Sequence, residues 1–201
     1  MSFKKNKYLI VKKAIPEVLA EVAYHYLILK REVYHKYKKY GQDIKHFGVM
    51  GDDVASNTYC HYADILMETL LIELLPSMQK ITKLDLIPTY TYCRLYKNGD
   101  ILRRHKDRPS CAVSTTLNLG GDPWPIFLEP SGLTGKKGKK IVLEAGDMLV
   151  YDGVQLEHWR EKFKGKECAQ VFLHYTEPTD KSLLFDGRPM VGLPIEFRGK
   201  K

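Results

Sequence analysis

No stretch of this chain stays apolar for the length a bilayer demands. The longest runs, such as residues 63–75, are broken by Asp64, Glu68 and Glu73, which excludes a membrane span. The opening Met1-Ser2-Phe3-Lys4-Lys5 lacks the apolar core of a signal peptide. Cysteine is scarce: Cys60, Cys93, Cys111 and Cys168 lie far apart and form no C-x-x-C pair. Such spacing fits reduced thiols in a cytoplasmic protein better than a disulfide framework. No segment repeats at a fixed period. A basic stripe interleaved with aromatics is also missing, although the formal net charge is +8. The lysines fall instead into small clusters, at Lys4-Lys5, Lys38-Lys39 and between Lys136 and Lys140, and nucleic acid is a disfavoured partner.

What is present suits one domain. At 201 residues the chain is long enough for a single well-buried core. Tyrosine (13) outnumbers phenylalanine (7), which suggests many half-buried aromatic faces. Tyr8 to Val11 reads as a short strand. A helix opens at Ile15-Pro16-Glu17, with proline and an acidic first turn as start signals. Val18, Val22, Tyr26 and Leu29 mark its apolar face, and Gly41 ends it. Residues 46–54 read as a loop broken by Gly48 and Gly51-Asp52-Asp53. From Ser56 to Lys80 the period is helical again, with Ala63, Leu66, Leu70, Ile72 and Leu75 on one face and Pro76 bending or ending the run. His61 falls inside that helix and is expected to be structural.

After Pro88 the period changes from 3.6 to 2. Tyr90, Tyr92, Arg94 and Tyr96 alternate with Thr91, Cys93 and Leu95. Further strands are expected at 111–119, 125–129, 140–143, 147–151 and 170–175, punctuated by Asn98-Gly99, Gly120-Gly121-Asp122 and Gly146-Asp147. Helices first and short strands after predict an α+β chain with a mainly β core, a sandwich or barrel of jelly-roll type. The expected division is a helical support layer over 1–87, the β core over 88–176 and an irregular surface tail over 177–201.

Within that core, His105-x-Asp107 puts an imidazole and a carboxylate on one face of an extended strand. A further ligand, His158, arriving from a distant strand would complete a two-histidine, one-carboxylate triad of the kind that suits non-haem Fe(II). Alone, His-x-Asp is a common polar strand end, and a lone histidine is more often part of the core.

The order Tyr96-x-x-Gly99-x-x-Leu102-x-x-His105-x-Asp107, then Gly146-Asp147 and His158, resembles the prolyl-hydroxylase-like branch of the 2-oxoglutarate/Fe(II) dioxygenases. The resemblance spans about residues 89–175 and implies a double-stranded β-helix. It implies iron on His105, Asp107 and His158, with 2-oxoglutarate and O2 as co-substrates, succinate and CO2 as products, and ascorbate as an accessory. A basic residue must hold the distal carboxylate of 2-oxoglutarate. Lys166 stands eight residues after His158, where nine or ten is usual, and would share an inward face with residues 168, 170 and 172. Arg160 is the rival, two residues past His158, and the sequence leaves both open. Tyr96 and Thr116 match hydroxyls that support the same carboxylate. Arg108, Trp124 and Trp159 are placed at the substrate's entrance. The implied reaction is hydroxylation of an unactivated C–H bond, of proline in a peptide or protein or of a free amino acid or other small molecule. The alternatives are a nucleic-acid demethylase of the same chemistry and a non-catalytic metal- or ligand-binding β-barrel module.

Overall fold

The alternating stretch after Pro88 forms strands that build two antiparallel sheets facing one another. The computed structural model describes residues 2–42 and 44–200. In chain order the first elements are α1 (Phe3–Asn6), β1 (Tyr8–Val11), α2 (Glu17–Lys39), β2 (Val49–Met50), β3 (Tyr59–Tyr62) and α3 (Ile65–Thr82). The β core follows as β4 (Ile87–Lys97), β5 (Leu102–His105), β6 (Val113–Gly121), β7 (Ile126–Leu128), β8 (Lys139–Ile141), β9 (Met148–Asp152), β10 (His158–Arg160) and β11 (Glu167–Thr176). The larger sheet has the order β1-β9-β6-β11-β4-β3-β2, and the smaller one β5-β10-β7-β8. This is the expected α+β double-stranded β-helix. The 1–87 segment is more than a helical layer, because it supplies β1, β2 and β3 to the larger sheet.

Two turns carry the chain to the site. Between β4 and β5, Asp100 is buried and its carboxylate accepts from the Lys97 amide at 2.9 Å and the Thr58 hydroxyl at 2.6 Å. That local bonding turns the backbone from the larger sheet to the smaller. Before β9, Gly146 adopts φ +85°, where a β-carbon would meet the Ile15 carbonyl at 2.6 Å. The neighbouring Asp147 carboxylate accepts from the Glu144 amide at 2.9 Å and the Lys13 amide at 3.0 Å, so the turn is also clasped to the N-terminal segment.

The helices pack on the outer face of the larger sheet, and here the structure corrects the sequence reading. On α2 the expected stripe of Val18, Val22 and Leu29 is exposed, and the buried side is Ala20, Ala23, Leu27, Lys30 and Tyr34. Small alanines let the helix approach β6 closely, and a pattern weighted by large apolar residues overlooks them. Lys30 tolerates burial because its ammonium meets the Asp64 carboxylate, the Tyr26 hydroxyl and His61. His61 is therefore structural as expected, but it lies on β3 rather than in a helix. Helix α3 starts only at Ile65, capped by Asp64, whose side chain accepts from the Met67 amide at 3.2 Å, and it runs on through Pro76. A separate apolar cluster that includes Ile126, Leu128, Ile141, Leu143 and Leu149 fills the space between the sheets.

Candidate active site

His158 opens β10 and stands directly opposite His105, which closes β5, as an antiparallel cross-strand pair. Asp107 follows two residues after His105. Its Oδ1 lies 3.6 Å from Nε2 of each histidine. Each Nδ1 is engaged by the carbonyl two residues earlier, His105 with Arg103 at 2.7 Å and His158 with Leu156 at 3.2 Å. With Nδ1–H donating there, the Nε2 lone pairs are left to converge beside the carboxylate. His158 is buried, which lowers its pKa to about 4 against the opposing pull of Asp107. It is therefore neutral near pH 7, the form a metal requires. Among the described residues these three side chains form the group whose donor atoms all lie within 4.8 Å of one another. Two imidazoles and one carboxylate fit a divalent ion such as Fe(II).

The other carboxylate oxygen is held from below. The Ser114 hydroxyl donates to Asp107 Oδ2 at 2.7 Å, and His174 Nδ1 lies 3.0 Å from the same hydroxyl. Read as a chain, His174 Nδ1–H donates to Ser114, which donates to Asp107. His174 is also buried and its pKa falls to about 4. Neither residue stood out in the sequence; the signal was their inward position on β6 and β11.

A cavity of about 420 Å³ opens above the triad and runs from Tyr96 to Arg108. Tyr96 lines its inner end, and Arg160 and Thr116 are buried outside the lining residues. Arg160 sits two residues beyond His158 and is 1% exposed. Its Nη2 donates to Thr116 Oγ1 and Gln170 Oε1, each at 3.2 Å, and its Nη1 to the Trp124 carbonyl. Burial lowers its pKa, opposed by Cys168, Tyr96 and Tyr151. Its Nε and the Tyr96 hydroxyl are buried without a partner among the described residues. Buried donors that lack an acceptor are uncommon, and here they fit a carboxylate.

Lys166 is not among them. Strand β11 begins only at Glu167, so Lys166 falls outside the inward alternation, exposed, with its amide donating to Asp122. Residues 168, 170 and 172 do alternate inward as expected. The entrance is also corrected. Trp159 points to the opposite face of β10 from His158, stacked on Phe127 at 5.5 Å with the Arg104 guanidinium 3.5 Å from its ring centroid. Strand alternation alone forbids it from sharing the face of its neighbour His158. Trp124 is buried against Tyr96 and Phe163 and forms inner wall rather than mouth. Arg108 does stand at the rim, 4.7 Å over the Tyr90 ring, and donates to Asp186 Oδ2 at 3.1 Å. The segment read as a plain loop also reaches the mouth, through Asp52, Asp53 and Val54.

No family model and no curated protein matches the chain. Solved structures do. A prolyl-4-hydroxylase from Pseudomonas putida superposes with TM-score 0.61 at 14% identity, covering 87% of this chain and 95% of its own. HygX from Streptomyces hygroscopicus, with nickel and 2-oxoglutarate bound, gives 0.60 at 11% identity over 88% of this chain and 85% of its own. The α-ketoglutarate-dependent epimerase SnoN of nogalamycin biosynthesis gives 0.64 at 11% over 87% and 80%. The fold is that of the 2-oxoglutarate/Fe(II) oxygenases. Among such oxygenase folds, HygX holds nickel and 2-oxoglutarate together, and it has also been solved with iron.

Proposed function

We propose that this chain is an Fe(II)- and 2-oxoglutarate-dependent dioxygenase that hydroxylates an unactivated C–H bond. The observation that carries the reading is the pairing of a convergent His105–Asp107–His158 donor set with the unpartnered Tyr96 hydroxyl in the same cavity and the unpartnered Nε of the buried Arg160. Iron with 2-oxoglutarate and O2 supplies the oxidising power, leaving succinate and CO2. The chain's own residues do the holding. His105 and His158 present Nε2, and the carbonyls of Arg103 and Leu156 fix their tautomers. Asp107 presents Oδ1, while Ser114 and His174 tie down Oδ2. Arg160 and Tyr96, with Thr116 beside them, hold the distal carboxylate of 2-oxoglutarate. Arg108 and Tyr90 form the rim that meets the substrate.

The substrate reading is proline in a peptide, with a small molecule as the alternative. It is supported by the likeness to the Pseudomonas hydroxylase and by a mouth of mixed charge. Asp52 and Asp53 face Lys106 and Arg108 there, which offers a polyanion no uniform positive surface. Location in the cytoplasm accords with four cysteines that are all free and buried.

The test is an anaerobic titration of the Fe(II)-loaded protein with 2-oxoglutarate, following the visible metal-to-ligand charge-transfer band. A band that saturates at one equivalent and vanishes in His158→Ala is expected. Tight metal binding without a band would leave a binding module in place of an enzyme.

A further inference from the structure

Strand β4 points Tyr90, Tyr92, Arg94 and Tyr96 into the cavity. Arg94 is the cation of that row, and it is 8% exposed. Its Nη2 donates to Asp52 Oδ2 at 2.6 Å. Asp52 is otherwise engaged, accepting from the Tyr92 hydroxyl at 2.7 Å and from the Val54 and Ala55 amides at 2.9 Å each. One carboxylate thus balances the charge of Arg94 but takes only one of its nitrogens. Nε and Nη1 are buried with no partner among the described residues.

Six buried side-chain polar atoms are unpartnered in this way, and four of them belong to Arg94, Tyr96 and Arg160. They cluster rather than scatter. Gln170, which accepts from Arg160, stands opposite Arg94 in the β4–β11 register, so the two arginines flank Tyr96 on one face. The Arg94 guanidinium lies 5.9 Å from the Tyr96 ring centroid. A guanidinium has no acceptor to offer. The Tyr96 hydroxyl therefore has only lone pairs to give the arginines, and its proton is free for an anion.

We propose that Arg94 is a second binding residue for the distal carboxylate of 2-oxoglutarate, forming with Arg160 and Tyr96 a two-arginine clamp. The inference rests on the oxygenase reading above. A carboxylate carries about four acceptor sites, enough to take N–H groups from both arginines and the tyrosine proton.

Calorimetric titration of the Mn(II)-loaded protein tests it, comparing 2-oxoglutarate with 2-oxopentanoate, which has the same keto-acid head but no distal carboxylate. Arg94→Gln is expected to weaken 2-oxoglutarate about tenfold or more, the effect of one lost charge-assisted contact. It should leave 2-oxopentanoate unchanged, and Arg94→Lys should recover part of the loss. If Arg94→Gln unfolds because Asp52 is stranded, the Asp52→Asn/Arg94→Gln double variant removes both charges and must show the same selective loss. Equal binding of both acids to variant and wild type, or an equal weakening of both, would overturn the role of Arg94 while leaving the oxygenase reading intact. A wild type that binds 2-oxoglutarate no better than 2-oxopentanoate would end both.

Discussion

Gly153 has no side chain because Asp107 occupies the space beside it. A β-carbon at 153 would meet the Cys111 carbonyl at 2.5 Å and the Ser114 hydroxyl at 2.9 Å, and the Asp107 Oδ2 closer still. The Gly153 carbonyl also accepts from the Asp107 amide at 2.8 Å. Backbone and carboxylate of Asp107 are thus both set by one residue that is no ligand. Gly153→Ala is expected to displace the carboxylate, costing about 1–3 kcal/mol of stability from overpacking and about tenfold or more in metal affinity. Metal titration and thermal melting of the same preparation check both. Unchanged affinity would mean that Asp107 does not depend on this contact.

Ser114→Ala tests the support beneath the triad. It removes the donor to Asp107 Oδ2 and strands His174 Nδ1–H in a buried site. Metal affinity should fall about 10- to 100-fold, while the sheets remain folded, since β6 keeps its ladders to β9 and β11. Ser114→Thr retains the hydroxyl and should keep most of the affinity. Competition against a chelator of known affinity gives the number.

Much of this was legible in the sequence, and the misses share a cause. The triad was readable because His-x-Asp on a strand and a histidine after a Gly-Asp turn obey period-two geometry. The same geometry settles Trp159, whose neighbour His158 faces inward. What could not be read was where the strands begin and end: Arg160 is still on β10 with His158, whereas β11 starts only at Glu167 and leaves Lys166 outside its inward alternation. Ser114 and His174 are ordinary residues until Asp107 is placed between their strands and Gly153. On α2 the alanines that pack closest carry the weakest apolar signal. Loop residues such as Asp52 gave no period at all.

The choice between the two expected anchors becomes a quantitative contrast. Arg160 is buried and bonded to Thr116, Gln170 and the Trp124 carbonyl, whereas Lys166 is exposed. Arg160→Ala is expected to raise the 2-oxoglutarate requirement by about a hundredfold and to lower stability by a few kcal/mol, since three buried acceptors lose a charged donor. Lys166→Ala should change either quantity by little more than a surface substitution does. Steady-state kinetics in 2-oxoglutarate and a denaturation curve separate the two.

Acid should destabilise the metal-free protein well above the pH at which carboxylates titrate. His158 and His174 both have pKa values lowered by burial to about 4 in the fold, against 6.5 as the ordinary value. The unfolded chain therefore binds more protons between those values, and stability present above pH 6.5 is lost as pH falls towards 4. The combined loss is on the order of several kcal/mol. Melting curves from pH 8 to pH 4 should show it, and His174→Gln should flatten the slope. A divalent ion should raise stability most near pH 7 and progressively less as pH falls to about 4, where protons compete for the His158 Nε2.

The C-terminal segment bears on the rim through one buried ion pair. Arg188 spans Glu68 with Nη2 to Oε1 at 2.7 Å and Nη1 to Oε2 at 3.2 Å, both side chains almost fully buried. Two residues earlier, Asp186 accepts from Arg108 and from the Tyr62 hydroxyl at 2.7 Å, and pairs with Arg198. The tail expected as a surface appendage therefore fixes a residue at the mouth. Glu68→Ala leaves Arg188 charged and unpaired, at a cost of about 3–5 kcal/mol. Loosening of residues 181–199 should follow, detectable as faster amide exchange and proteolysis there. Asp186→Asn is the milder variant, removing the charge that holds Arg108 while leaving the Arg188–Glu68 pair intact. It should alter the apparent affinity for the hydroxylated substrate with little change in that for 2-oxoglutarate, because Arg108 lies at the rim and Arg160 is buried outside the lining residues. A change confined to 2-oxoglutarate would place Arg108 in the wrong role.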